Sequence, residues 1–234
     1  VTALIEKSSD RGAVRARLYQ QRAFLNARLE QWKAAAEDFL EAKNRKPDDT
    51  MHWMRAGVML LLAGDMAKYR EHTQEMLKRF EHPPNAYVAE RTAKLCVLPN
   101  EPIGDKETVS RLAKFATENS EDSPWSMYFP MTEALVKYRY GEYDAALRLI
   151  DVSRARKRPG QVRPDVAEML AHVIEALCWA AIGDHQRADV TLEKADEYLQ
   201  PFLERPIRVD DSTQHGWFIA RMLYDEAKSL NRNQ

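Results

Sequence analysis

Apolar residues recur along this chain at the spacing of a helix face, and turn-forming residues interrupt them. Trp53, Ala56 and Leu60 lie at positions i, i+3 and i+7 of one segment, which is the rhythm of a single helix face. Gly64 then predicts a turn, and the side chain of Asp65 can accept the free N–H groups of the helix that follows. With only 8 glycines in 234 residues, the pattern predicts an all-α protein made of helical hairpins.

The hairpin pattern returns after 34 residues. Seven positions recur in order, from Tyr19, Ala23, Glu30, Ala35, Phe39, Ala42 and Pro47 to Trp53, Gly57, Gly64, Tyr69, Thr73, Met76 and Glu81. A period of this length predicts an α-solenoid, a single domain over residues 1–234 in which each repeat packs on its neighbours. We predict about five helical pairs, at residues 16–49, 50–84, 85–120, 123–158 and 165–200, and a capping helix at 211–230.

The third and fourth pairs depart from the regular pattern. Residues 99–104 form a longer connection than a standard repeat turn, and Asp105 is a plausible N-cap for the helix after it. Ser123 and Pro124 would open the fourth pair, since proline is favoured in the first turn of a helix. Pro130 occupies a later helical position, which predicts that the first helix of this pair begins late.

These residues resemble the tetratricopeptide repeat (TPR) superfamily over most of the chain. The family pattern places a small residue four positions after a large one, glycine at the turn, and alanines in the second helix. Residues 141–146 and 183–195 follow it, whereas Asn26 replaces an apolar residue and Tyr69 stands where alanine is usual. The resemblance implies a right-handed α-solenoid of TPR-like hairpins whose first helices line a concave groove.

A narrower resemblance concerns residues 53–69, 91–99 and 141–149, which are similar to the TPR tails of large bacterial proteins. In those proteins the tail follows a Ser/Thr kinase domain, WD40 repeats or both. The chain has no kinase Gly-rich loop, HRD or DFG motif. The resemblance therefore implies a non-catalytic part of a larger bacterial regulatory or signalling protein.

In the TPR family the partner usually lies in the groove formed by the first helices. The residues of this chain that map to the groove are Arg17, Gln20, Phe24, Arg28, Met51, Met54, Val58, Leu61, Glu90, Lys94, Tyr128, Met131, Leu135 and Arg139. Because the middle of this set is apolar, either an amphipathic or extended segment of a partner binds there, or the chain's own C-terminal helix fills the groove. Gln20 and Phe24 replace the Lys and Asn of the carboxylate-clamp subset, so binding of chaperone tails is not expected.

A cationic cluster is the strongest local concentration of charge. It consists of Arg154, Arg156, Lys157 and Arg158, and it could bind an acidic peptide or a phosphate backbone. Alternatively, it is a solvated helix end, where cations are favoured by the helix dipole. The formal net charge of −1 provides no field for nucleic acid, so we expect no nucleic-acid partner.

Candidate chemistry is sparse. Glu168, His172 and Glu175 share one helix face, but a carboxylate metal site in a bundle needs a second copy of such a motif. We therefore expect a polar stripe, with no metal and no cofactor. The six histidines lack HExxH spacing, no serine lies in a GxSxG context, and Cys96 and Cys178 are predicted to be buried free thiols. No enzymatic activity is expected.

The expected setting follows from exclusions, and the expected function is what the resemblance to TPR proteins implies. The longest apolar run, residues 56–63, is too short to span a membrane, and the first residues lack the apolar core of a signal peptide. We expect a cytoplasmic, non-enzymatic scaffold that captures a protein or peptide in its groove. The alternative is a structural spacer or regulatory tail with no partner of its own.

Overall fold

The computed structural model describes residues 1–7, 12–160, 162, 164–203 and 214–232. Within these ranges the chain is helical and contains no β-strand, which confirms the predicted all-α class. The helices are α1 (Thr2–Lys7), α2 (Ala13–Arg28), α3 (Trp32–Arg45), α4 (Thr50–Leu62), α5 (Met66–Arg79), α6 (Ala86–Val97), α7 (Lys106–Glu118), α8 (Tyr128–Arg139), α9 (Tyr143–Ala155), α10 (Pro164–Ile182), α11 (His185–Leu203) and α12 (Gln214–Arg232). The predicted capping helix corresponds to α12, and residues 211–213 lie outside the described ranges.

The described helices belong to two compact units. Among the described residues, unit 1 comprises α1–α5 up to Arg79, and unit 2 comprises α6–α12 from Phe80 onward. In unit 1, α2 packs against α3, α3 against α4, and α4 against α5. In unit 2, α6 contacts α8, α8 contacts α10, and α10 contacts α12, while α7, α9 and α11 pack against this row. Continuity of a single solenoid over the whole chain stays a prediction.

Four hairpin turns share one backbone geometry. The central residue has a positive φ in each of them: Glu30 (56°), Gly64 (70°), Gly141 (76°) and Gly183 (88°). The N–H of the next residue donates to the carbonyl five residues back, for example from Gln31 to Asn26 at 2.9 Å and from Glu142 to Lys137 at 2.8 Å. This is the Schellman arrangement that ends a helix, and it confirms the turns predicted at the three glycines.

The second helix of each hairpin buries residues at fixed distances from the turn. Positions five, nine and twelve after the turn residue are at most 7% exposed: Ala35, Phe39 and Ala42; Tyr69, Thr73 and Met76; Ala146, Ile150 and Ser153; Ala188, Leu192 and Ala195. The third pair keeps the same spacing from Gly104, since Val109, Ala113 and Ala116 are also fully buried. Because steps of four and three residues stay on one helix face, the sequence period corresponds to a repeated packing arrangement.

The departures expected in the third and fourth pairs are present. Residues 98–105 separate α6 from α7, and the side chain of Asp105 accepts a hydrogen bond from the N–H of Thr108 at 2.8 Å. This bond caps α7 as predicted and lowers the pKa of Asp105. Helix α8 begins only at Tyr128, two residues before Pro130, which confirms the late start.

Asn26 and Tyr69, the two residues that break the repeat pattern, lie in specific local environments. The amide of Asn26 donates to Asp38 Oδ2 at 3.0 Å, and Arg22 pairs with the same buried carboxylate at 2.6 Å. The Tyr69 side chain is fully buried. Tyr69 is therefore accommodated as a larger ring in the interior of unit 1, whereas the half-buried Asn26 replaces an apolar contact with a polar contact to Asp38.

Candidate functional site

On α2, the first helix of the first hairpin, the predicted groove residues divide into an exposed set and a buried one. Arg17 and Arg28 are exposed and Gln20 is partly exposed. Phe24 is buried and packs its ring edge-to-face with Phe39 at a centroid distance of 5.4 Å. The cationic side chains of α2 are thus accessible, whereas its aromatic residue belongs to the interior of unit 1.

Two of the four predicted groove residues of α4 are interior. Met54 is 1% exposed and Val58 is 0% exposed, while Met51 and Leu61 are partly exposed. A partner cannot contact Met54 or Val58 without a rearrangement of the packing around them. The 3.6-residue periodicity that places them on one face does not distinguish a buried face from an open groove.

Two titratable side chains, Lys43 and His72, lie close to Trp53 in unit 1, an arrangement that the sequence did not predict. The Trp53 indole N–H donates to the carbonyl of Pro47 at 2.8 Å, and the Lys43 ammonium lies 4.3 Å from a ring centroid of the indole. The His72 ring lies 5.1 Å from it, and His72 Nε2 is 2.9 Å from the Trp53 carbonyl oxygen. Burial lowers the pKa of His72 to about 4, so this side chain is neutral at pH 7.

In unit 2, two predicted groove residues of α6 are paired within the unit. Glu90 and Lys94 form an ion pair one helical turn apart. The hydroxyl of Thr132 on α8 donates to Glu90 Oε1 at 2.7 Å, and Glu90 is buried. These contacts connect α6 to α8 and leave Glu90 little capacity to contact a partner.

Arg139 joins three segments of unit 2. Its side chain is 3% exposed and forms an ion pair with Glu226 of α12, with one Nη2–Oε2 distance of 2.7 Å. The same guanidinium donates to the carbonyl of Val97 at 2.9 Å and to that of Leu98 at 3.1 Å. The predicted groove residue Arg139 is therefore a buried cation whose carboxylate partner comes from the C-terminal helix.

Helix α12 covers the apolar groove residues of unit 2. A cavity of only about 20 Å³ remains where the helices meet. Its apolar lining consists of Met131 and Leu135 of α8, Leu170 and Ile174 of α10, and Ile219 and Leu223 of α12. The partly exposed Tyr128 lies at its edge. Among the described residues of unit 2, this part of the predicted groove is occupied by the chain itself.

The cationic cluster and the polar stripe, which are separate in sequence, meet between α9 and α10. Arg154 Nη2 donates to Glu175 Oε2 at 2.7 Å and lies 3.1 Å from His172 Nδ1, and Lys157 pairs with Glu168 at 2.8 Å. Although burial acts to raise the pKa of Glu175, hydrogen bonds from His172 and Arg154 lower it to about 2. The stripe is thus one half of an interhelical ion-pair network.

The remaining cluster residues contact backbone carbonyls. Arg156 donates to the carbonyl of Thr117 at 3.0 Å and to Ser120 Oγ at 3.2 Å. Arg158, which is exposed, donates to the carbonyl of Glu121 at 2.9 Å. Both side chains therefore hold the segment that connects α7 to α8.

Other candidate chemistry has no support in the described part of the chain. No three His, Cys, Asp or Glu side chains there are grouped to bind a metal ion. Cys96 and Cys178 are buried free thiols, as predicted, and burial raises the pKa of each to about 12. None of the helices in the described ranges has both the length and the apolar character needed to cross a membrane.

Comparison with known proteins adds no family to this description. No protein-family model matches the chain, and no curated protein matches it at a significant level. The repeated hairpin geometry and the distribution of paired and exposed charges are therefore the observations on which a functional assignment rests.

Proposed function

We propose that this chain is a right-handed, TPR-like α-solenoid module that binds another protein and has no catalytic activity of its own. The observation that carries the proposal is the repetition itself: four turns of one geometry and five second helices with the same buried positions. Stacked repeats of this kind present extended surfaces that proteins use for binding partners. Its resemblance to bacterial TPR tails supports a place within a larger regulatory or signalling protein, and the proposal includes the cytoplasmic setting expected from the sequence.

The α2 surface of unit 1 is the part of the predicted groove best suited to a partner. Arg17 and Arg28 are exposed there, and Leu25 of the same helix and Leu29 at its C-terminal end are exposed apolar side chains. Apolar contact surrounded by charge is the usual composition of a protein interface. This surface fits a peptide or helix that carries both apolar and acidic side chains.

The full chain carrying Arg17→Glu and Arg28→Glu tests this surface. Tagged wild type and variant are used as bait in lysate of the source cells, and bound proteins are identified by cross-linking and mass spectrometry. We expect a partner whose recovery falls at least tenfold with the double variant. The matched control is Lys33→Glu with Lys78→Glu, which makes the same charge change at exposed positions of α3 and α5 and should retain the partner.

The alternative of a spacer without a partner has one observation in its favour. In unit 2, the predicted groove residues Glu90 and Arg139 already have partners within the chain. If neither wild type nor control enriches any protein, the spacer function is favoured. A partner that binds wild type and both variants equally would place the binding surface elsewhere than on α2.

A further inference from the structure

We propose that the face of α8 and α10 covered by α12 is a recognition site for an amphipathic helix with an acidic residue in register with Arg139. The site rests on the proposed function, because it specifies one class of partner for a protein-binding module. In this structure α12 occupies the site and shows the chemistry that it accepts.

Arg139 makes an acidic residue necessary. Its guanidinium is almost completely buried, and its carboxylate partner Glu226 lies on α12. Its other contacts, the carbonyls of Val97 and Leu98 and the Tyr138 ring at 5.2 Å, are neutral. The amide nitrogen of Asn100, when turned toward α12, also donates to Glu226, at 3.1 Å. An occupant without a carboxylate would leave a buried cation unpaired, which is strongly unfavourable.

The apolar part of the site sets the spacing of the partner's side chains. Ile219, Leu223 and Glu226 lie at positions i, i+4 and i+7, and such residues project from the same helix face. Ile219 and Leu223 close the cavity against Met131 and Leu135. The recognised pattern is therefore two large apolar residues four positions apart, followed three positions later by Asp or Glu, bound in the helix-in-groove mode.

Other contacts of α12 explain why the chain occupies its own site. The hydroxyl of Tyr224 donates to Asp196 on α11 at 2.6 Å, and Trp217 is buried. Because α12 also belongs to the same polypeptide, it competes at an effective concentration on the order of millimolar. A free helix of the same pattern is therefore expected to bind the wild-type chain weakly and a chain with a loosened α12 more tightly.

A labelled peptide of residues 214–232 is the probe, and fluorescence polarisation with the full-length chain is the measurement. Glu226→Arg in the chain places a second cation beside Arg139 and releases α12. We expect this variant to bind the wild-type peptide at least tenfold more tightly than the wild-type chain does. The same peptide carrying Glu226→Arg should bind the variant at least tenfold more weakly. The matched control chain is Asp225→Arg, which reverses an exposed charge on α12 and should behave as wild type.

A second chain variant reverses the charge at position 139 and so tests whether this residue selects the charge of the bound helix. With Arg139→Glu, the preference should invert, so that the Arg-containing peptide binds more tightly than the wild-type peptide. If a chain variant loses helical circular dichroism, the peptide of complementary charge should restore it and the other peptide should not.

Equal binding of both peptides to the Glu226→Arg chain would overturn the proposal, as would release of α12 by Asp225→Arg. These outcomes are independent of the lysate experiment. If the peptides bind as expected but the lysate yields no partner, the protein-binding function is rejected and the helix-binding site on α8 and α10 is supported. If the lysate yields a partner but the peptides do not bind as expected, the protein-binding function is supported and the helix-binding site is rejected.

Discussion

Units 1 and 2 contain the same hairpin turn, and both join helices through ion pairs such as that of Arg22 with Asp38 in unit 1, but unit 1 also buries histidines. In unit 1, His72 and His52 are buried close to Trp53, and burial lowers the pKa of both. In unit 2, buried or half-buried charges form ion pairs between helices, such as Arg139 with Glu226 and Arg154 with Glu175. The repeated packing of the second helices therefore tolerates either kind of polar contact, and the two units should respond differently to acid and to loss of a single side chain.

The largest expected difference is the response to acid. A histidine with a folded-state pKa of about 4, against 6.5 when unfolded, takes up its proton more readily in the unfolded chain. Unit 1 should therefore keep its stability above pH 6.5 and lose about 3 kcal/mol as the pH falls toward 4. The depressed pKa of Glu175 acts in a lower window, since its contribution is present above pH 4.5 and is lost toward about pH 2.

Hydrogen exchange read by mass spectrometry, corrected for the intrinsic pH dependence of exchange, measures the two units separately. Between pH 6.5 and 4.5, protection should fall in α4 and α5 and change little in α9 and α10. The control is His72→Gln, which can still donate to the Trp53 carbonyl but does not titrate. Equal acid sensitivity of His72→Gln and wild type would show that His72 is not the cause.

The next largest effect concerns the cationic cluster of unit 2. Arg156→Ala removes charged hydrogen bonds to Thr117 and Ser120 and should lower the free energy of unfolding of unit 2 by about 2 kcal/mol. Arg158→Ala is the matched control, because its contact is exposed, and it should cost less than about 0.5 kcal/mol. Urea unfolding followed by exchange in α7 and α9 measures both, and equal effects would contradict the structural role of Arg156.

The smallest expected effect compares the turns of the two units. Glu30 in unit 1 has a φ of 56°, which side-chain-bearing residues rarely adopt. Gly141 in unit 2 occupies the same position of its turn, and there is open space where the Cβ of a substituted residue would lie. Glu30→Gly should stabilise unit 1 by about 0.5–1 kcal/mol, and Gly141→Ala should destabilise unit 2 by about 1 kcal/mol. Thermal unfolding checks both, and a loss of stability with Glu30→Gly would mean that the Glu30 side chain has a contact worth more than the backbone strain.

Much of the fold was predictable because its signals are local. Gly64, Gly141 and Gly183 mark turns whose hydrogen bonds span five residues, and Asp105 caps a helix through an N–H three residues away. The candidate site was less predictable. The helical period predicts that Met54 and Val58 share a face of one helix and that Met131 lies on the corresponding face of another, but it contains no information on whether such a face is covered.

The sequence by itself determined the hairpins, their turns and the buried positions of the second helices, because each depends on residues within a few positions of one another. Only the tertiary structure decided which charges meet. Arg154 and Glu175 lie on different helices, and Arg139 and Glu226 are 87 positions apart. Such pairs form when packing brings two helices together. Glu226 of α12 could therefore be identified as the partner of Arg139 only in the folded chain.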